Sequence, residues 1–200
     1  MYYALNIYPQ FDMEASLLID SIRTDFDPTA VIARPHITVM FPIPDRVGED
    51  QLFAHIQMIL KDVKPFEIEL GDLYRAHDHW LFLILTEGAE RLQELYDSIY
   101  SGLLAEFRKP GITYIPHLSL GLFIKEGRNY DWNNINEDDF DDELYAQALE
   151  RARELPLPIR VRIDKFNLTK IPDEILEWAT GKRTEIRDDV RIFQIREFSL

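Results

Sequence analysis

The chain contains no cysteine, and only eight glycines and five histidines in 200 residues. The first absence excludes disulfides, thiolate nucleophiles and cysteine-ligated metals. With so few glycines and no glycine-rich loop, neither a P-loop nor a dinucleotide fingerprint is present. No stretch reaches the roughly 20 apolar residues of a transmembrane helix. The opening MYYALNIYPQFD has no basic region ahead of an apolar run, so no signal peptide is expected. A soluble cytoplasmic protein with no membrane partner is expected. Positive charge is also scarce: 22 Lys and Arg stand against 36 Asp and Glu, a formal net charge of −14. Long RNA or DNA is held by Lys and Arg through counterion release, so this balance weighs against a long nucleic-acid partner. A small anionic substrate is less affected, because a few pocket residues set its local potential.

What the sequence does have is apolar and aromatic surface, 46% and 12% of residues, enough to bury a sizeable core in a single domain or two small lobes. YYALNIYP reads as a strand. Met13 to Phe26 has helical spacing and stops at Asp27-Pro28. VIARPHITVMFPI reads as a strand entered through Pro35, and Glu49 to Val63 as an amphipathic helix. FEIELGDL and WLFLILTE are joined by YRAHDH as a hairpin, and Gly88 to Phe107 reads as a helix broken at Lys109-Pro110-Gly111. TYIPHLSLGLFI is another strand. The acidic cluster EDDFDDE (137–143) leads into a helix ending ALERAREL, with acids and arginines placed to suit the helix dipole. IRVRIDKFNL and VRIFQIREF read as two half-exposed antiparallel strands. Short strands mixed with helices and hairpins predict an α+β fold.

Two of the five histidines sit in near-copies of one phrase, RPHITVMF (34–41) and IPHLSLGLF (115–123), with the imidazoles 81 residues apart. For average composition, one such Pro-His-apolar-(Ser/Thr)-apolar match arises by chance in about one chain in a few hundred. Two matches, each preceded by a helix and a proline break, read as a weak internal repeat. On a strand, residues i and i+2 share a face. His36 and Thr38 therefore project together, with Arg34 beside them, and His117 and Ser119 do the same. Two imidazoles and two hydroxyls on a common surface are the equipment for phosphoryl transfer. They supply a base for the nucleophile, an acid for the leaving oxygen and donors for the phosphate oxygens.

His-Ile-Thr-Val and His-Leu-Ser-Leu resemble the paired signatures of the 2H phosphoesterases, the superfamily of the 2′-5′ RNA ligases and cyclic phosphodiesterases. YYALNIYP, FDP (26–28) and PHITVMFP are similar to the first half of an uncharacterised bacterial branch of 2′-5′ RNA ligase-like proteins. The resemblance covers residues 1–44 and about 110–123. Residues 131–155 match less clearly, and Ser119 stands where Thr is common. The resemblance implies one domain over 1–200, built as two pseudo-repeated lobes. Each lobe would be an antiparallel sheet backed by helices, with a central cleft between them. It also implies cleavage of a cyclic, 2′,3′-type phosphodiester or a small oligonucleotide, without metal or cofactor. His36 and His117 would be the acid–base pair, and Thr38 and Ser119 would hold the phosphate.

Other candidates have two readings each. Phe41, Tyr114 and Trp80 could stack a base or belong to the core. Phe41 and Tyr114, with Arg34, are taken as candidate substrate-binding residues. His77 and His79 could chelate a metal or sit in a solvated turn, and no metal site is assigned. His55 reads as structural. Arg160, Arg162, Arg191 and Arg196 could line a groove or a solvated sheet face. The expected function is a metal-independent phosphodiesterase acting on a small cyclic nucleotide or short RNA-type phosphoester. The alternatives are a 2′-5′ RNA ligase and a non-catalytic nucleotide-binding module.

Overall fold

The computed structural model describes residues 1–77, 79–125, 128, 136–179, 187 and 189–200. Helix α1 (Met13–Phe26) forms where the spacing predicts it. Asp12 caps it, its side chain accepting from the Ala15 N–H, and Ala15, Ile19, Ile22 and Phe26 make the buried stripe. Around it the chain lays down β1 (Tyr2–Ile7), β2 (Ile37–Pro44), α2 (Glu49–Leu60), β3 (Phe66–Ala76), β4 (Trp80–Glu87) and α3 (Ala89–Ile99). Then follow β5 (His117–Leu122), α4 (Asp142–Ala152), β6 (Ile159–Ile163), β7 (Lys165–Ile171), α5 (Asp173–Ala179) and β8 (Phe193–Ser199). The predicted third helix ends early, at Ile99. Gly102, at φ 51°, starts a 3₁₀ turn over Gly102–Phe107 instead. Among the described residues no helix is long and apolar enough to cross a membrane.

The α+β fold is as expected, but the two expected sheets are two halves of one. The eight strands among the described residues form a single sheet in the order β6-β3-β4-β5-β2-β1-β7-β8, their pairings antiparallel. The seam is β2–β5, where Ile37 pairs with Leu118, so the two histidine phrases lie side by side at its centre. Four strands stand on each side of the seam. The half containing the first phrase is completed by the C-terminal strands β7 and β8. IRVRIDKFNL is thus two strands, β6 and β7, separated only by Asp164 and assigned to opposite halves. One residue spans only a few ångströms, so the sheet must curl until these strands meet.

The two phrases also match in local detail. Asn6 pairs with Thr38 and Leu5 with Met40, leaving Val39 as an extra residue in β2. Phe82 pairs with Ser119 and Leu81 with Gly121, leaving Leu120 extra in β5. Each phrase therefore carries a β-bulge immediately after its hydroxyl residue, a device that bends a strand and re-aims side chains. Helices cross over as well: α1 packs against β5, and α3 against β2. Ile37, Val39, Leu118 and Leu120 are fully buried in the same core as Ile19, Ile22, Leu92 and Tyr96. That burial holds one face of each phrase inward and leaves the alternate residues on the other.

Of the acidic segment, 131–135 lie outside the described residues. Asp141 caps α4 through the Leu144 N–H, and Asp142, Glu143 and Arg151 occupy the dipole-favoured ends.

Candidate active site

The proline of each phrase explains how its imidazole is held. A residue before proline is kept out of the helical region, and Arg34 and Ile115 both precede one. His36 Nδ1–H donates to the Arg34 carbonyl at 2.8 Å, and His117 Nδ1–H donates to the Ile115 carbonyl at 2.6 Å. A carbonyl only accepts, so the proton of each neutral ring sits on Nδ1 and Nε2 carries the lone pair. The same bond from the same position in both phrases leaves two equivalent Nε2 atoms for chemistry.

Extending the Ile37–Leu118 register sets His36 opposite Ser119 and Thr38 opposite His117, all on one face. The two histidines are then diagonal neighbours, about 7–8 Å apart at Cα in a regular ladder. All four side chains are partly open to solvent. Among the described residues neither hydroxyl makes a hydrogen bond to protein, so both are free to donate.

The ring environments differ. His117 lies flat against Phe82, with centroids 3.5 Å apart and planes within 12°. Burial pushes its pKa down to about 4, helped by repulsion from His36 and His77 and opposed by the Ile115 bond. His36 stands 6.2 Å from the Tyr8 ring, and Tyr8 carries the Arg34 guanidinium 3.6 Å above its centroid. Burial lowers the His36 pKa too, with Arg23 and Arg34 adding to the effect and Asp27 opposing it. The Arg23–Asp27 pair beneath is itself buried, and Arg23 also donates to the Ala33 carbonyl at 2.9 Å. This ties α1 to the segment that delivers Arg34 and His36.

A cavity of about 290 Å³ opens on the first-phrase side. Arg34, His36 and Thr38 line it, joined by Asn6, Tyr8 and Gln194. Its apolar walls include Ile171 and Ile192, so β1, β7 and the start of β8 all contribute. Arg34 spans it, donating to Gln194 Oε1 at 3.2 Å. Sequence reasoning missed Asn6, Tyr8, Gln194 and Phe82. A polar residue inside the apolar run YYALNIYP was a usable signal for Asn6; Phe82, within WLFLILTE, gave none.

Phe41 and Tyr114 are not brought to the cavity. Both pack on Tyr96 of α3, Tyr114 stacked at 4.3 Å and Phe41 edge-on at 6.1 Å. Tyr114 is buried and its hydroxyl donates to the Thr38 carbonyl at 2.9 Å. Alternation itself accounts for Phe41, which stands two residues from Val39 and four from Ile37 and so shares their inward face rather than that of His36 and Thr38. Trp80 does share the site face, 5.9 Å from Phe82.

The remaining candidates do not line this cavity. His55 is buried, its Nε2 on the Ile99 carbonyl at 2.9 Å. His79 is not in a solvated turn: it is 2% exposed, edge-on to Phe140 and bonded to the His77 carbonyl. His77 is exposed at φ 50°, and Asp78 lies outside the described residues. Among the described residues no three His, Asp or Glu side chains are grouped to hold a metal. The arginines are dispersed: Arg160 pairs with Glu69 at 2.9 Å, Arg191 donates to the Val190 carbonyl, and Arg196 lies over Phe53.

Comparison with known proteins gives one family. The sequence model of the 2′-5′ RNA ligase superfamily matches residues 9–174. No curated protein sequence matches the chain. Escherichia coli LigT complexed with 3′-AMP has the same fold at a TM-score of 0.55 and 12% identity, over 100% of this chain and 97% of that one. Kluyveromyces marxianus Usb1 with uridine monophosphate also scores 0.55 at 12% identity, covering 84% of this chain and 92% of that one. A structure described as a phosphoesterase scores 0.53 at 12% identity over 100% and 96%.

Proposed function

Because the chain belongs to the 2′-5′ RNA ligase superfamily, we propose that it is a phosphodiesterase that opens a nucleoside 2′,3′-cyclic phosphate. In this reading the phosphate lies over the β2–β5 seam. Thr38 and Ser119 donate to its non-bridging oxygens, and the nucleoside occupies the cavity beside His36. The similar structures hold nucleoside monophosphates, 3′-AMP in LigT and uridine monophosphate in Usb1, and a 290 Å³ cavity suits one nucleoside.

The observation that carries the proposal is the matched pair of Nδ1 bonds. It presents two free Nε2 atoms on one face with hydroxyls between them. The cavity beside His36 supports a division of labour. The leaving ribose oxygen belongs to the nucleoside, so it departs on the His36 side and takes its proton from Nε2–H of His36 in its doubly protonated, imidazolium form. Water attacks from the opposite side, giving a proton to His117 Nε2. One P–O bond forms to water and one breaks to ribose. The product is a phosphate monoester, and the pair ends with the proton transferred from His36 to His117. Each step uses these side chains alone. RNA ligation is the same chemistry with a 5′-hydroxyl in place of water.

The test incubates wild type, His36→Ala and His117→Ala with the four nucleoside 2′,3′-cyclic phosphates in the presence of a chelator. Hydrolysis by wild type and a loss of at least about a hundredfold in each variant are expected. Absence of turnover by wild type, or full activity in either variant, sinks the proposal.

A further inference from the structure

Asn6 is a polar residue at a position where the framework requires none. Strand β1 runs between β2 and β7, and interior strands of this kind favour apolar and β-branched residues. The equivalent position in the other half is Phe82: it partners Ser119 as Asn6 partners Thr38. A hydrocarbon side chain therefore fits this place in the repeat. Asn6 is 5% exposed, and only half of its side-chain hydrogen bonding is met. Nδ2 donates to Thr169 Oγ1 at 3.2 Å, and Thr169 gives its one hydroxyl proton to the Ala4 carbonyl at 3.1 Å. Toward Asn6 that oxygen can only accept, which fixes the amide orientation. The other amide atom, Oδ1, is buried and has no partner among the described residues.

A buried acceptor without a partner is a standing cost that native structures rarely keep. Here it sits in the lining of the cavity that also holds His36 and Thr38. A local rule broken beside a candidate site points to a ligand contact.

We infer that Asn6 determines specificity: its Oδ1 accepts a hydrogen bond from an N–H or O–H of the nucleoside seated beside Thr38, and a nucleoside lacking that donor is rejected. The inference rests on the phosphodiester reading for the kind of molecule in the cavity, but not for the reaction done on it. A site built around a hydrogen bond discriminates strongly, because the analogue leaves a buried polar atom unpaired.

The experiment measures binding by calorimetry, using nucleoside 3′-monophosphates in pairs that differ by one donor. Adenosine is set against purine riboside, guanosine against inosine, cytidine against the 4-deamino base, uridine against 3-methyluridine, and each against its 2′-deoxy and 5′-deoxy forms. In the wild type at least one pair is expected to separate by about tenfold or more. In Asn6→Leu, and in Asn6→Ala as a second variant, that ratio is expected to collapse toward one. The ratio is internal to each variant, so a general loss of affinity or of folded protein cancels. The inference is overturned if no pair separates in wild type, or if a separating pair keeps its ratio in both variants. Donor-dependent binding without turnover of cyclic phosphates would remove the phosphodiesterase reading and leave the role of Asn6 standing. Turnover without donor dependence would do the reverse.

Discussion

Lowering the pH from about 7 to about 4.5 tests how His117 is held. In the unfolded chain its imidazole takes up a proton near the ordinary 6.5, whereas in the folded protein it does so only near about 4. Between those values the unfolded state binds more protons. Stability therefore rises with pH across this window and is lost on acidification. The gap corresponds to roughly 3 kcal/mol. About 2 kcal/mol of this is lost by pH 4.5, once solvent access to the partly open ring is allowed for. Chemical denaturation of wild type and His117→Gln at both pH values isolates the effect, because the other titrating groups are common to both. Wild type is expected to lose about 2 kcal/mol more than the variant on acidification. Equal losses, or a His117 ring resonance titrating near 6.5, would refute the reasoning that burial against Phe82 and the surrounding core sets this group.

Under the proposed mechanism the same shifts govern the rate. Both imidazoles are pushed below 6.5, so kcat/KM on cyclic phosphates should be bell-shaped with both limbs on the acid side of 6.5. A kcat/KM optimum above pH 7 would contradict this assignment. Tyr114→Phe removes the bond to the Thr38 carbonyl and is expected to lower stability by about 1 kcal/mol in denaturant; an unchanged midpoint would show that the hydroxyl supports nothing. Gly121→Ala would set a Cβ 2.5 Å from the Phe123 ring and 3.0 Å from the Phe26 carbonyl oxygen. The ring can yield but the backbone cannot, so a loss of about 1–3 kcal/mol is expected. A thermal midpoint equal to wild type would mean that α1 shifts freely over β5.

How much of this was legible in the sequence depended on whether the signal was local. The period-two rule on a strand was enough to set His36 with Thr38 and His117 with Ser119, and α1 could be bounded from its apolar spacing and its terminating Asp-Pro. The order of strands was not legible. Nothing in IRVRIDKFNL says that its two parts belong to opposite halves of the sheet, because partner choice is made by distant residues. The period-two rule, carried along β2, sets Phe41 with Ile37 and Val39 on the inward face, where it packs on Tyr96. The cavity was legible only at Arg34, His36 and Thr38. Its other walls come from β1, β7 and the approach to β8, which the sequence could not bring together.

Asp164 sets a mechanical limit on the whole molecule. The natural hinge for two half-sheets is their shared seam, and at β2–β5 only Ile37 and Leu118 pair, too little to resist rotation. Yet β6 lies three strands from the seam on one side and β7 two strands from it on the other. With strands about 4.8 Å apart, that is a lever arm on the order of 10 Å or more. Swinging the halves apart would have to pull Ile163 away from Lys165, and one residue has little slack to give. The chain is therefore braced like a folded card with its free edges stapled. A ligand must be admitted by side chains such as Arg34 and by the segments bordering the cavity, while the spacing of the two imidazoles stays fixed.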